Sequence, residues 1–103
     1  MTTFSERVVK IALSIPAGRV STYGRIARAA GGGRQSARSV TAILGKAYER
    51  GAKIPFHRIV YSDGRIWVSA RHRKRRLALY KKEGIKINKK DRIENFRDVL
   101  LDF

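Results

Sequence analysis

Three consecutive glycines, Gly31-Gly32-Gly33, constrain this chain more than any other feature. Glycine readily takes positive φ and weakens a helix interior, so the triplet reads as a tight turn between helices. Before it, Thr22 can cap a short helix running to about residue 30, with Tyr23, Ile26, Ala27 and Ala30 on its inner face. After it, Val40, Ile43, Leu44 and Ala47 make the buried stripe of a helix over about 36–49. Arg34, Arg38 and Lys46 lie off that stripe or along its edges. Two short helices around a glycine turn, the second with arginine in its first turns, have the layout of a helix-turn-helix. The triplet lacks the Walker pattern and follows no strand, which argues against a phosphate-cradling loop.

The flanking segments extend this layout. Thr3-Phe4-Ser5-Glu6 fits a capping box, and Phe4, Val8, Ile11, Ala12 and Ile15 recur at helical spacing until Pro16 and Gly18 stop them. Arg19-Val20-Ser21 is a short extended connector. Beyond Gly51 stands Ile54-Pro55-Phe56-His57-Arg58, where a proline stiffens the backbone beside an aromatic and two polar side chains. Arg58-Ile59-Val60-Tyr61 and Arg65-Ile66-Trp67-Val68 then flank Ser62-Asp63-Gly64, the pattern of a β-hairpin. The expected fold is mainly α with a small β-hairpin, a winged helix-turn-helix.

The end of the chain is basic, then mixed. Residues 71–76 read RHRKRR and lead into Leu77, Tyr80 and Glu83, a fourth helix ended by Gly84. Two readings of the run are open, a solvated helical face or a strip that contacts phosphates. Ile85-Lys86-Ile87-Asn88 alternates like a short strand. Asp91 and Glu94 sit at capping spacing ahead of a last helix carrying Ile93, Phe96, Leu100 and Phe103 on one face. That face either docks on the domain or receives a partner. The expected division is 1–84 for the winged domain and 85–103 for an extension packed on it.

Charge narrows the function. The chain has 24 Lys and Arg against 8 Asp and Glu, a net +16 in 103 residues. Such an excess predicts attraction to a polyanion, nucleic acid ahead of an acidic membrane or protein. There is no cysteine, so disulfides, thiolate metal sites and thiol nucleophiles are excluded together. With two histidines and few carboxylates, neither a metal nor a cofactor is expected. No apolar run reaches the ~20 residues that span a bilayer. The first residues lack the basic-then-apolar pattern of a signal peptide. The expected location is the cytoplasm, on the nucleoid if the source is prokaryotic.

Several motifs in order carry a family likeness. Ile15-Pro16-Ala17-Gly18-Arg19-Val20-Ser21-Thr22-Tyr23-Gly24-Arg25-Ile26-Ala27 resembles the IPxGxVxTYGxIA segment of the O6-alkylguanine-DNA alkyltransferases. Ala37-Arg38-Ser39-Val40 is similar to their ARxV segment, and Pro55-Phe56-His57-Arg58-Ile59-Val60 to their PCHRVV active site, followed by the similar Asp63-Gly64. Residues 74–84 resemble their basic helix ending in Glu-Gly. The likeness covers about residues 4–84. One departure matters most: Phe56 stands where the family has its acceptor cysteine. Alkyl transfer needs a thiolate, and a phenyl ring has no lone pair to attack with. The chain is therefore similar to the alkyltransferase-like proteins, the branch whose PCHR motif lacks the cysteine.

That resemblance implies a monomer without enzymatic activity. It would bind O6-alkylguanine in double-stranded DNA through the minor groove, flip the base into a pocket and flag it for nucleotide excision repair proteins, with no membrane involved. It assigns Arg38 as the arginine finger that fills the gap in the stack, and Tyr23 as the residue pressing on the 3′ phosphate of the flipped nucleotide. It implies a lesion pocket of Phe56, Tyr23, Val60, Ser69 and Arg71, and DNA contacts from Thr22, Tyr23, Arg34, Gln35, Ser36, Arg38 and Thr41. His57, Arg58 and Glu83 are left as a structural remnant of the active site. From the residues alone, Tyr23 and Phe56 have a second reading as core aromatics, and Trp67 is open between core and pocket. Thr41 stands where the family has glycine, and the lid around 67–71 departs from the family's sequence. Two rival functions are an architectural winged-helix DNA-binding protein without lesion specificity, and a residual transferase or glycosylase using His57 or Glu83.

Overall fold

Local capping starts the first two helices of the computed structural model, which describes residues 3–32, 36–66 and 69–101. In α1 (Phe4–Leu13) the Thr3 hydroxyl accepts from the Glu6 amide at 3.1 Å, satisfying one of the helix's orphan donors. In α2 (Tyr23–Ala29) the Thr22 hydroxyl does the same for the Arg25 amide, also at 3.1 Å. The third helix, α3 (Ser36–Glu49), takes the bounds its apolar stripe predicts. Val8 and Ala12 of α1, Ile26 and Ala27 of α2, and Val40 and Leu44 of α3 meet in one core, together with Ile15 and Ile54. Leu44 is fully buried, so truncation to Ala costs about 3 kcal/mol.

A short parallel ribbon divides this core from a second one. Residues Ser21–Thr22 (β1) pair with Ile59–Val60 (β2), Ser21 opposite Ile59 and Thr22 opposite Val60. Successive strand residues face opposite sides. Ile59 accordingly joins the helical core, and Val60 joins Val20, Ile66, Tyr80, Ile85 and Ile93 in the second. Tyr80 comes from α4 (Arg73–Lys82), which follows a 3-10 turn at Ala70–His72.

The wing departs from the expected hairpin. The turn itself forms: Gly64 N–H donates to the Tyr61 carbonyl at 2.9 Å, and Tyr61 N–H to the Arg65 carbonyl at 3.0 Å. No hairpin strand pair follows it among the described residues. The chain after the turn instead bridges the C-terminal segment, Arg65 antiparallel to Arg92, with Ile93 N–H donating to the Gly64 carbonyl and Ile66 N–H to the Asp91 carbonyl, both at 2.9 Å. Backbone groups take whichever partner brings apolar burial with it, and Ile93 and Phe96 supply that. Gly64 is needed there for two reasons. Its φ is +85°, and a Cβ would stand 3.0 Å from Cγ of Phe96.

The last helix is also shorter than expected. It begins at Phe96 rather than near Asp91, so that α5 (Phe96–Val99) has four residues, and Ile93 lies in the core rather than on a helical face. Asp91 and Asn95 take φ of +57° and +54°, which interrupts helical winding. The Asp91 carboxylate is gripped by both Nη atoms of Arg73, at 2.9 and 2.6 Å, and does not cap. The segment 85–88 forms no strand; Ile87 makes a single antiparallel bridge to Ile93. The chain's end returns to β1: Val20 N–H donates to the Val99 carbonyl at 2.9 Å, and Leu101 N–H to the Val20 carbonyl at 2.7 Å.

Candidate nucleic-acid interface

The exposed edge of α3 carries Arg38 and Thr41, three residues apart and therefore on one face. Facing them are Tyr23 at the start of α2, Phe56, Ile59 and Tyr61 from the 56–61 segment, and Arg76 from α4. Together they line a cavity of about 540 Å³, the size of an ordinary ligand site. Phe56 opens a 3-10 turn, Phe56–Arg58, closed by Arg58 N–H donating to the Pro55 carbonyl at 2.9 Å. Its half-buried ring meets the exposed ring of Tyr48 edge-on, centroids 5.7 Å apart. At the other side Tyr23 and Tyr61 lie 6.4 Å apart, and the Arg65 guanidinium sits 5.1 Å from the Tyr61 ring centre. Burial pushes the Tyr23 hydroxyl pKa up, neighbouring Tyr61 adds to this, and Arg76 opposes it. Tyr80 is pushed up to about 12, again by burial and against Arg76, so both phenols stay neutral.

Behind the cavity floor lies a dense polar cluster on Glu83, the residue that ends α4. Arg58 Nη2 donates to Oε2 at 2.7 Å and its Nε lies 3.0 Å from Oε1. His57 Nε2 donates to Oε2 at 2.6 Å, and the Gly18 amide to Oε1 at 3.1 Å. Arg58 Nη1 also donates to the Ile15 carbonyl at 3.0 Å. The Glu83 side chain is 9% exposed. Burial works against its ionisation, but the bonds from Arg58, His57 and Gly18 outweigh this and hold its pKa at about 2. Gly18 fits because its φ is +86° and a Cβ would stand 3.4 Å from the Glu83 carbonyl oxygen. One carboxylate thus ties the turn after α1, the 56–58 turn and the end of α4 into one rigid unit. His57 and Arg58 serve this cluster while Phe56, their neighbour, faces the cavity.

Four residues expected at the site from sequence come together here: Tyr23, Arg38, Thr41 and Phe56. Four others are placed elsewhere. Val60 is 1% exposed in the second core, because strand alternation turns Ile59, not Val60, toward the cavity. Thr22 is 6% exposed and its hydroxyl caps α2, so its side chain is turned inward. Ser69 and Arg71 do not line the cavity: Ser69 Oγ is buried, and the 3-10 turn carries Arg71 to the surface. Arg34, Gln35, the Ser36 side chain and Trp67 lie outside the described residues. Ile59, Tyr61 and Arg76 line the cavity without having been singled out for it. Period-two alternation through 59–61 was a readable signal for the first two. Arg76 looked like any other member of the basic run.

The cavity offers aromatic faces, two guanidinium groups and hydroxyls, with no thiol or carboxylate among its described lining residues. This suits a flat aromatic ligand attached to phosphate. Above it, Arg73, Lys74 and Arg75 are exposed at the first turn of α4. Cations are disfavoured at the positive end of a helix dipole, and a bound anion relieves that.

Comparisons with known proteins agree with this geometry. Residues 3–85 match the family described as 6-O-methylguanine DNA methyltransferase, DNA binding domain. A DNA base-flipping protein of Escherichia coli (strain K12) is 34% identical over 92 residues, covering 89% of this chain and 70% of that one. Another of the same name, from Vibrio parahaemolyticus, is 36% identical over 88 residues, covering 85% and 86%. The structure of S. pombe Atl1 in complex with damaged DNA containing O6-carboxymethylguanine matches over the whole of both chains, with a TM-score of 0.74 and 29% identity. That of Mycobacterium tuberculosis O6-methylguanine methyltransferase has a TM-score of 0.58 and 31% identity, over 81% of this chain and 49% of the other. Fold, cavity and matched domain coincide over the same residues, and the chain belongs to the O6-methylguanine DNA methyltransferase family, in its alkyltransferase-like branch.

Proposed function

We propose that this protein is a non-enzymatic sensor of alkylation damage. It binds O6-alkylguanine in duplex DNA from the minor groove, rotates the nucleotide out of the stack and holds the base in the cavity over Phe56. The observation that carries this reading is the cavity of about 540 Å³ with Phe56 in its wall and Arg38 at its edge, in a chain with no cysteine. In this reading Arg38 fills the vacated stack, which a planar guanidinium suits because it both stacks and hydrogen-bonds. The net charge of +16 supplies affinity for phosphates without sequence preference. The aromatic wall supplies selectivity for the flipped base. His57 and Arg58 are both held on the Glu83 carboxylate, which supports a structural rather than a catalytic role. With no chemistry of its own, the complex must be passed on, and nucleotide excision repair is the route the sequence resemblance implies.

Titration of fluorescent duplexes with and without one O6-methylguanine, at moderate salt, tests the reading. The lesion duplex is expected to bind at least about tenfold more tightly. Equal affinities would overturn it. Arg38→Ala separates a sensor from an architectural protein: a sensor loses its lesion preference and keeps salt-sensitive background binding, whereas an architectural protein weakens only slightly.

A further inference from the structure

The largest cavity among those described lies away from the proposed base pocket, in the angle between α1 and α3, with a volume of about 670 Å³. Its floor is apolar, made by Val9 and Leu13 of α1 and by Ile43 and Ala47 of α3. Leu13 is 49% exposed, an unusual position for a leucine beside other apolar groups. Its rim carries Lys10, Lys46 and Arg50 against a single acid, Glu6. All four rim residues are exposed.

The position of this groove on α3 is informative. At 3.6 residues per turn, the groove side of α3 lies roughly 140° around the helix from the edge bearing Arg38 and Thr41. A helix seated with that edge against DNA keeps the groove side turned away. The groove is thus open to a third component while DNA is bound.

We infer that the α1–α3 groove is the docking site for an acidic amphipathic helix of a partner protein. The apolar floor fits the i, i+3, i+4 and i+7 side chains of such a helix, and the three rim cations fit carboxylates flanking them. DNA is a poor occupant, because a charged phosphate backbone has no apolar surface to bury against the floor and would lose hydration there. A second copy is also a poor one, because each copy carries +16 and would bring like-charged rims together. The inference draws on the proposed function only for which edge of α3 faces DNA.

The probe is a short synthetic helical peptide with leucines at i, i+3, i+4 and i+7 and glutamates beside them. A control peptide has lysines in place of the glutamates. Each is titrated into isotope-labelled full-length protein, free and bound to an undamaged duplex, and followed by NMR. The acidic peptide is expected to shift the amides of Val9, Leu13, Ile43 and Ala47 equally with and without DNA, and the lysine peptide to bind at least about tenfold more weakly. Lys46→Glu should weaken the acidic peptide by about tenfold and improve the lysine peptide. Leu13→Glu, at a surface position, should abolish binding of the acidic peptide while DNA affinity stays within about twofold. Four results would each overturn the inference: no shifts at the groove; shifts centred on Tyr23 and Phe56 that vanish when DNA is added; equal binding of both peptides; or shifts at the groove that track protein concentration, marking self-association. Because the free-protein arm needs no lesion, failure of the sensor reading leaves this test intact.

Discussion

Phe56 and His57 are adjacent in sequence and opposite in circumstance. His57, with Arg58, is locked to Glu83 by short hydrogen bonds in a site where every carboxylate oxygen has a partner. Phe56 makes no side-chain hydrogen bond; its ring packs against the helical core, meets the edge of Tyr48 and faces the cavity. The polar side determines where the loop is, and the aromatic side determines what the loop can hold. The framework of the loop therefore does not depend on the side chain at position 56. Rigidity comes from the carboxylate cluster, which does not include position 56.

The contrast can be broken most directly at Glu83. Glu83→Ala removes the carboxylate that Arg58 and His57 share, leaving Arg58 only the Ile15 carbonyl, and should cost about 3 kcal/mol in chemical denaturation. An unchanged midpoint would show that the cluster does not hold the loop. The same carboxylate predicts a pH dependence. Its folded pKa, about 2, lies below its ordinary value of 4.5, so the unfolded chain takes up the proton first on acidification. The stabilisation is complete above pH 4.5 and is lost as pH falls from there toward 2. Thermal melts across that window should show the loss, and Glu83→Gln should flatten it. On the aromatic side, Phe56→Ala should reduce lesion preference by about tenfold in the duplex titration while leaving background DNA affinity unchanged. If background binding falls by the same factor, Phe56 is supporting the fold rather than the base. The smallest effect is expected at Tyr48→Ala, which removes one edge-on ring contact and should weaken lesion binding by about threefold. A tenfold loss would make Tyr48 a pocket residue in its own right.

The two regions also differ in how far they could be read in advance. His57, Arg58 and Glu83 were recognisable as a group from their motifs, yet no spacing rule joins 58 to 83. The link required α4 to pack against the 56–58 turn. Of the five residues expected in the pocket, Tyr23 and Phe56 line the cavity and Val60, Ser69 and Arg71 do not, while Arg38 and Thr41, expected as DNA contacts, lie at its edge. The 3-10 turn at Phe56–Arg58 resets the alternation, so that Ile59 is the residue turned to the cavity. Arg76 could not be separated from Arg73, Lys74 and Arg75, because a run of like charges has no internal pattern to mark the one that turns inward.

Helix positions were largely settled by local chemistry. Thr3 and Thr22 satisfy amides three residues on, and Pro16, Gly51 and Gly84 end what precedes them, all within one turn of the chain. The net charge and the missing thiol are likewise properties of the sequence alone, and they restrict both the class of ligand and the chemistry. Strand pairing was decided only in three dimensions. Asp63-Gly64 makes its turn, closed by Tyr61 on Arg65, but among the described residues the chain beyond it bonds to 91–93 and forms no strand pair with 58–60. A turn needs four residues to agree, whereas a strand takes the best partner that the whole fold brings alongside, and here that partner is the C-terminal segment, whose Ile93 and Phe96 cover the second core and the glycine of the turn.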